Sequence, residues 1–277
     1  MMRLRGARFF LGTQGWNYPA WSGPFYPRGA RPADFLALYA KLFSTVEVDS
    51  TFYAVPSRAA IESWTRRTPV TFRFALKFPR AATHDDRLAG RASVETLAVF
   101  AERVRGLGDR LGPILLQMPP DFGPAARSDL ESFLEKWPAD LAVSVEFRDA
   151  AWLVGDTFES LAARGIAPAL TDSPHVPLQV MLEARERATG PGVTFAYVRW
   201  LGSRELVDYS RIQVDRTAEL AAWAAALPPL VDRGIDVYGY FNNHYAGHSP
   251  SSVRAFMELV GMTPPDPGTL EPQGELF

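Results

Sequence analysis

The sequence predicts an α/β protein folded as a single (β/α)8 barrel. Eight short apolar runs recur along 277 residues, and amphipathic helical patterns separate most of them. Neither a Gly-x-Gly-x-x-Gly turn nor a phosphate-loop motif is present to support an open, doubly wound sheet. The length suits one large domain with a substantial core.

The apolar runs begin near Phe9, Thr45, Phe72, Ile114, Ala142, Ile166, Phe195 and Val237. Helical periodicity predicts Arg31–Phe43, Ser57–Thr68, Ser93–Leu107, Ser128–Trp137, Asp156–Arg164, Asp215–Asp232 and Ser249–Val260 between or after them. The connection from Pro174 to Gly192 shows no clean period. The barrel domain thus spans 1–262. Beyond it, Pro264, Pro265, Pro267 and Pro272 with Gly268 and Gly274 predict a flexible Pro/Gly-rich tail, 263–277.

An apolar content of 47%, a charged content of 22% and a net charge of −2 are those of an ordinary globular protein, without a basic footprint for nucleic acid or anionic membrane. The absence of Cys excludes disulfides, thiolate zinc sites and Cys nucleophiles. Of 29 basic residues only Lys41, Lys77 and Lys136 are Lys. No signal peptide or membrane-length apolar segment is recognisable, so a cytoplasmic protein is expected.

Side chains alternate across a strand, which splits each run into a helix-facing and a barrel-facing set. Val46 and Val48 share one face, Glu47 and Asp49 the other. Phe72, Phe74, Leu76 and Phe78 oppose Arg73, Ala75 and Lys77. Gln117 ends the fourth run, and Ser144, Glu146 and Arg148 line one face of the fifth. Asp172, Arg199 and Asn242 take the corresponding late positions in the last three. Polar residues so placed would meet at the C-terminal mouth, where barrel enzymes keep their chemistry. A purely structural network, with Lys77, Arg148 and Arg199 neutralising the acids, is the plainer alternative.

At these strand ends the chain resembles the domain of unknown function 72, or YecE-like, barrels. The matching stretches are GTQGWNYPAWSGPFYP, VEVDSTFY, FALKFPR with THDDRL, LLQMPP, VEFRDAAW, AYVRWLG and YFNNHYAGHSP. The resemblance implies a TIM-type barrel and carries over Glu47, Lys77, His84, Gln117, Glu146, Arg148, Asp172, Arg199 and Asn242, with Trp16 and Tyr53 as pocket walls. It supplies no substrate or reaction. Asp49 stands where the family more often has Asn. Trp200-Leu201-Gly202 replaces a commoner Leu-His-Gly, so a His is absent at position 201.

This pattern leads to a barrel enzyme, a hydrolase or a lyase or isomerase. Its acid–base groups would be Glu47, Lys77, His84, Glu146 and Asp172. A divalent metal could be held by Glu47, Glu146 and Asp172, with His84 or His244 as a nitrogen ligand. Lys77 could form a Schiff base if it is desolvated and close to cations, although a salt bridge to Glu47 or Glu146 is the commoner arrangement. His175, in a Pro-flanked loop without a motif, carries no expected role. Trp16, Tyr53, Gln117, Arg148, Arg199, Asn242, Asn243 and Ser249 would bind substrate. The two arginines suit a phosphate or carboxylate, and Ser249 would cap a helix whose N-terminus can hold phosphate. A phosphate-bearing substrate, perhaps a nucleotide or nucleic acid, is the leading expectation. A carbohydrate hydrolase or isomerase is the first alternative. The aromatic loop GTQGWNYPAWSGPFYP would lie over the same mouth as a wall, a stacking platform or simple packing.

The chain ends in QGELF, which resembles the Gln-x-x-Leu-Phe peptides that dock on the bacterial sliding clamp. Gln273, Leu276 and Phe277 are the residues that would engage it. A non-catalytic binding module recruited through this peptide is the second alternative.

Overall fold

The computed structural model describes residues 7–153, 156–203 and 205–270. Eight parallel strands form the barrel wall: β1 Phe9–Thr13, β2 Thr45–Val48, β3 Arg73–Lys77, β4 Leu111–Gln117, β5 Val143–Glu146, β6 Ala167–Asp172, β7 Phe195–Trp200 and β8 Asp236–Phe241. The hydrogen-bonded order runs β1-β8-β7-β6-β5-β4-β3-β2. The seam between β1 and β2 is drawn together by Gly15 N donating to Glu47 O at 2.8 Å. The expected barrel is therefore the fold observed.

The helices are α1 Phe35–Leu42, α2 Arg58–Arg67, α3 Arg91–Val104, α4 Arg127–Leu134, α5 Thr157–Ala163, α6 Leu178–Ala188, α7 Thr217–Ala226, α8 Pro228–Asp232, α9 Asn243–Ala246 and α10 Ser249–Leu259. Two connections differ most from the sequence reading, and the short α9 has no counterpart in it. α6 fills the connection that showed no period. Its buried face is Met181, Ala184 and Ala188, and the two small Ala side chains give a weak apolar signal among Arg and Glu. The expected helix Asp215–Asp232 is two helices, because Pro228 and Pro229 lack N–H donors and begin a new helix at α8. At the far end, Pro267–Leu270 closes a turn and buries Leu270 against the core. Among the described residues, no helix is long and apolar enough to cross a membrane.

Alternation sorts the side chains into two cores. Phe10, Ala75, Leu115, Ala169, Tyr197 and Tyr240 fill the barrel interior. Val46, Val48, Phe74, Leu76, Leu116 and Val145 face the helices. Phe10 stacks on Tyr238 at 4.6 Å, and Tyr240 Oη and Thr45 Oγ1 lie 2.8 Å apart, so the lower barrel is plugged. Polar groups collect where the plug ends.

Candidate active site

Arg199, late on β7, forms the centre. Its Nε and Nη2 donate to Glu47 Oε2 and Oε1 at 3.0 and 2.7 Å, while Nη1 reaches Glu146 Oε2 at 2.5 Å. All three side chains are at most 2% exposed. Tyr197, one layer deeper, donates its hydroxyl to Glu47 Oε2 at 2.6 Å, and Gln117 Nε2 donates to Glu146 Oε1 at 2.5 Å. The register makes this possible: Gln117 and Glu146 are direct partners across β4 and β5.

The two glutamates are electrostatically unequal. Burial pushes the Glu47 carboxyl up, and Arg199 only partly opposes this. Burial also raises Glu146, but Arg199, Arg148 and Lys77 together outweigh it and hold the carboxyl below its ordinary value. Glu146 is therefore the fixed anion of the pair.

Lys77 ends β3 on the inner face, only 8% exposed. Its Nζ lies 3.9 Å from the centre of the Phe52 ring. Among the described residues no carboxylate comes within 4 Å of it. Burial, and then the charge of Arg199, lower its pKa from 10.5 to about 8. Phe52 also meets the His84 ring edge-on at 5.0 Å. His84 sits in a single π-helical turn, Ala81–Asp85, with Nδ1 2.8 Å from Thr83 Oγ1. Burial, Lys77 and Arg148 lower its pKa to about 4, so it is neutral at pH 7.

Above these groups opens a cleft of about 490 Å³, a size that suits a small-molecule ligand. Lys77, Glu146, Arg148, Arg199 and Asn242 line it, as does Tyr53, which is 79% exposed at the rim. Arg148 Nε is 3.6 Å from Glu146 Oε1, and Asp49 Oδ1 is 4.0 Å from Arg199 Nη2. The Gln14 carboxamide lies 2.7 Å from Asn242 Nδ2 and 3.2 Å from Arg199 Nη2. The cleft includes residues the sequence reading did not assign: Gln14, Thr171, Ser173, His175 and Glu205. Tyr197 was also missed. The alternation Ala167-Ala169-Thr171 and Tyr197-Arg199 held the signal for Thr171 and Tyr197. Gln14 follows directly on β1 inside the stretch that reads as the aromatic loop, and it keeps the strand pairing through a bridge to Glu47.

Several expected positions require correction. Asp172 faces outward, accepting from Trp223 Nε1 and Tyr245 Oη, each at 3.0 Å, because Thr171 is the residue in register with Arg199. Glu47 does not line the cleft; it lies beneath Arg199. The three carboxylates named for a metal consequently do not converge. Among the described residues no group of three His, Cys, Asp or Glu side chains could hold an ion. Asn243 and Ser249 are buried together outside the cleft, with Ser249 Oγ donating to Asn243 Oδ1 at 2.9 Å. His248, not Ser249, occupies the cap position of α10.

The aromatic loop is mostly packing. Trp21, Phe25 and Tyr26 are at most 2% exposed, with Tyr26 stacked on Phe35 at 4.3 Å and Phe25 on Phe43 at 5.4 Å. Trp16 does not line the cleft, contrary to expectation; it meets Trp64 of α2 edge-on at 6.0 Å. The loop is tied to α9 by Trp21 Nε1, which donates to Asn243 Oδ1 at 3.2 Å. Gln273, Leu276 and Phe277 lie outside the described residues.

A family model described as protein of unknown function DUF72 matches residues 10–275. The UPF0759 protein YecE of Escherichia coli K12 is 24% identical over 94% of this chain and 96% of its own length. The UPF0759 protein YunF of Bacillus subtilis is 23% identical over 91% and 94%. A crystal structure of a DUF72 family protein from Thermotoga maritima superposes with a TM-score of 0.75 at 26% identity, covering 91% of this chain and 99% of that one.

Proposed function

The chain belongs to the DUF72 family, and from that premise we propose that its C-terminal mouth is a small-molecule active site. The chemistry is acid–base, on a substrate carrying a phosphate or carboxylate. Lys77 carries this reading. Its amine is desolvated, faces the cleft and has no carboxylate of the described residues within 4 Å. Arg199 meanwhile engages both deep glutamates. A buried cation without a direct ion pair is costly, and a bound anion relieves that cost. Arg148, 24% exposed at the same wall, adds a planar fork suited to phosphate or carboxylate. With a pKa of about 8, Lys77 can accept and return a proton near neutral pH.

The carbohydrate alternative has less support. It needs one carboxylic acid and one carboxylate at the scissile bond. Here Glu146 is held ionised and Glu47 is covered by Arg199.

Calorimetry with inorganic phosphate and with sulfate tests the reading. Saturable binding is expected, at least tenfold weaker in Lys77→Met and in Arg148→Met. An absence of saturation at tens of millimolar would reject it. A link to nucleic acid enters only through Gln273, Leu276 and Phe277 as a sliding-clamp peptide; deleting 273–277 would abolish capture of the chain by purified clamp.

A further inference from the structure

Resting on the proposal that this mouth binds an anionic substrate, we infer that Lys77 is a covalent nucleophile, forming an imine with an aldehyde or ketone that carries the anionic group. Three observations lead there. The first is residue choice. Arginine outnumbers lysine so heavily that only Lys41, Lys77 and Lys136 are Lys among 29 basic residues, and Lys77 is the buried one. Lys41 and Lys136 are exposed. An arginine at position 77 would supply a permanent, forked cation, whereas a lysine can give up its proton and present a lone pair.

The second observation is the arrangement around the amine. Nζ rests on the Phe52 face rather than on a carboxylate, so no ion pair has to be broken before it attacks. The salt bridge to Glu47 or Glu146 that would make Lys77 structural is absent; both acids are engaged by Arg199. The third is the charge of Arg199, which with burial depresses the Lys77 pKa to about 8. About one amine in ten is then unprotonated at pH 7, against roughly one in 3,000 for a lysine at 10.5. Desolvation next to a second cation is a general way of activating an amine nucleophile.

The step balances with one proton exchanged with solvent. The Nζ lone pair attacks the carbonyl carbon, forming C–N as the C=O π bond opens. A proton passes from nitrogen to oxygen to give the carbinolamine. A proton from solvent, replacing the one the Lys77 ammonium gave up before attack, then protonates the hydroxyl, which leaves as one water, and the nitrogen lone pair closes the protonated C=N. Arg148 is the contact for the anionic group. The iminium withdraws electrons from the adjacent carbon, which is what proton abstraction or C–C cleavage at that carbon requires.

The test is reductive trapping of the full-length protein with borohydride, using glyceraldehyde 3-phosphate as the probe and uncharged glyceraldehyde as its control, followed by peptide mapping. The two exposed lysines serve as internal references. The expected result is glyceraldehyde 3-phosphate adduct on Lys77 at least tenfold above that on Lys41 and Lys136, lost on competition with inorganic phosphate. Lys77→Arg should abolish it, with the reference adducts unchanged. Adducts spread evenly over the three lysines, or none on Lys77, would overturn the inference. If phosphate still binds in calorimetry, that failure leaves the anion-site reading standing. Equal Lys77 labelling by both probes would instead keep the nucleophile and remove the anion preference.

Discussion

Arg199 and Glu47 are joined by two parallel hydrogen bonds, 3.0 and 2.7 Å long, at a depth where neither side chain is more than 2% exposed. The third corner of the guanidinium holds Glu146. One cation thus pairs with two buried acids contributed by strands far apart in sequence. That leaves Lys77 without a carboxylate partner among the described residues.

Arg199→Met should be severely destabilising. Two carboxylates would remain buried without their cation, a change that costs about 3–5 kcal/mol for one broken buried pair. Arg199→Lys should recover only part of the loss, since one ammonium cannot replace the fork. Urea unfolding monitored by fluorescence reads both. A loss of less than about 1 kcal/mol in Arg199→Met would mean that water reaches the glutamates.

Lys77→Met should do the reverse. The folded protein releases the Lys77 proton near pH 8, whereas the unfolded chain keeps it to about 10.5. The native state is therefore penalised below pH 8, and the penalty fades as pH rises from 8 to 10.5. The substitution should raise stability at pH 7 by up to about 3 kcal/mol, with the gain shrinking toward pH 10.5. A destabilised Lys77→Met at pH 7 would show that the amine has a stabilising partner.

The ring of strand-end residues was legible because alternation and late position are properties of the sequence itself. Glu47, Lys77, Gln117, Glu146 and Arg199 all fall on the inner face. Strand β6 misled for a chemical reason. Asp172 is conspicuous and Thr171 is not, yet Ala167 and Ala169 mark the inner face and assign it to Thr171. Ser249 and Asn243 lie beyond the strand end, where alternation no longer governs direction, and the loop turns them under Trp21. The aromatic loop was ambiguous for a related reason: Trp and Tyr serve packing and recognition equally well until their neighbours are known.

Asp172→Asn separates the two kinds of acid. Asp172 accepts from Trp223 and Tyr245 on the helix side, and its pKa is raised chiefly by burial. Replacing it should cost about 1–3 kcal/mol through weaker hydrogen bonds to those donors. Phosphate affinity and Lys77 trapping should stay within about twofold of the parent, an effect of under 0.5 kcal/mol. A tenfold loss of binding without a loss of stability would return Asp172 to the site.

Glu146→Gln should shift the pH profile of Lys77 trapping toward acid. Glu146 and Asp49 both favour the charged amine, whereas burial and Arg199 oppose it. Removing either carboxylate takes away support for the ammonium, so the Lys77 pKa falls below about 8 and trapping persists to lower pH. Glu146→Gln also leaves Gln117 and Arg199 facing an amide that can accept from only one of them, so some stability is lost. Asp49→Asn, half-exposed at the rim, should produce the same acid shift with little change in stability. Phosphate should bind more tightly to both variants, because each removes a negative charge from the cleft wall. Trapping followed from pH 6 to 10 on the parent and the two variants gives the three midpoints directly. An unmoved midpoint in both would mean that Lys77 does not feel these carboxylates; a shift toward alkali would mean that the amine is governed by a group other than Arg199, Glu146 and Asp49.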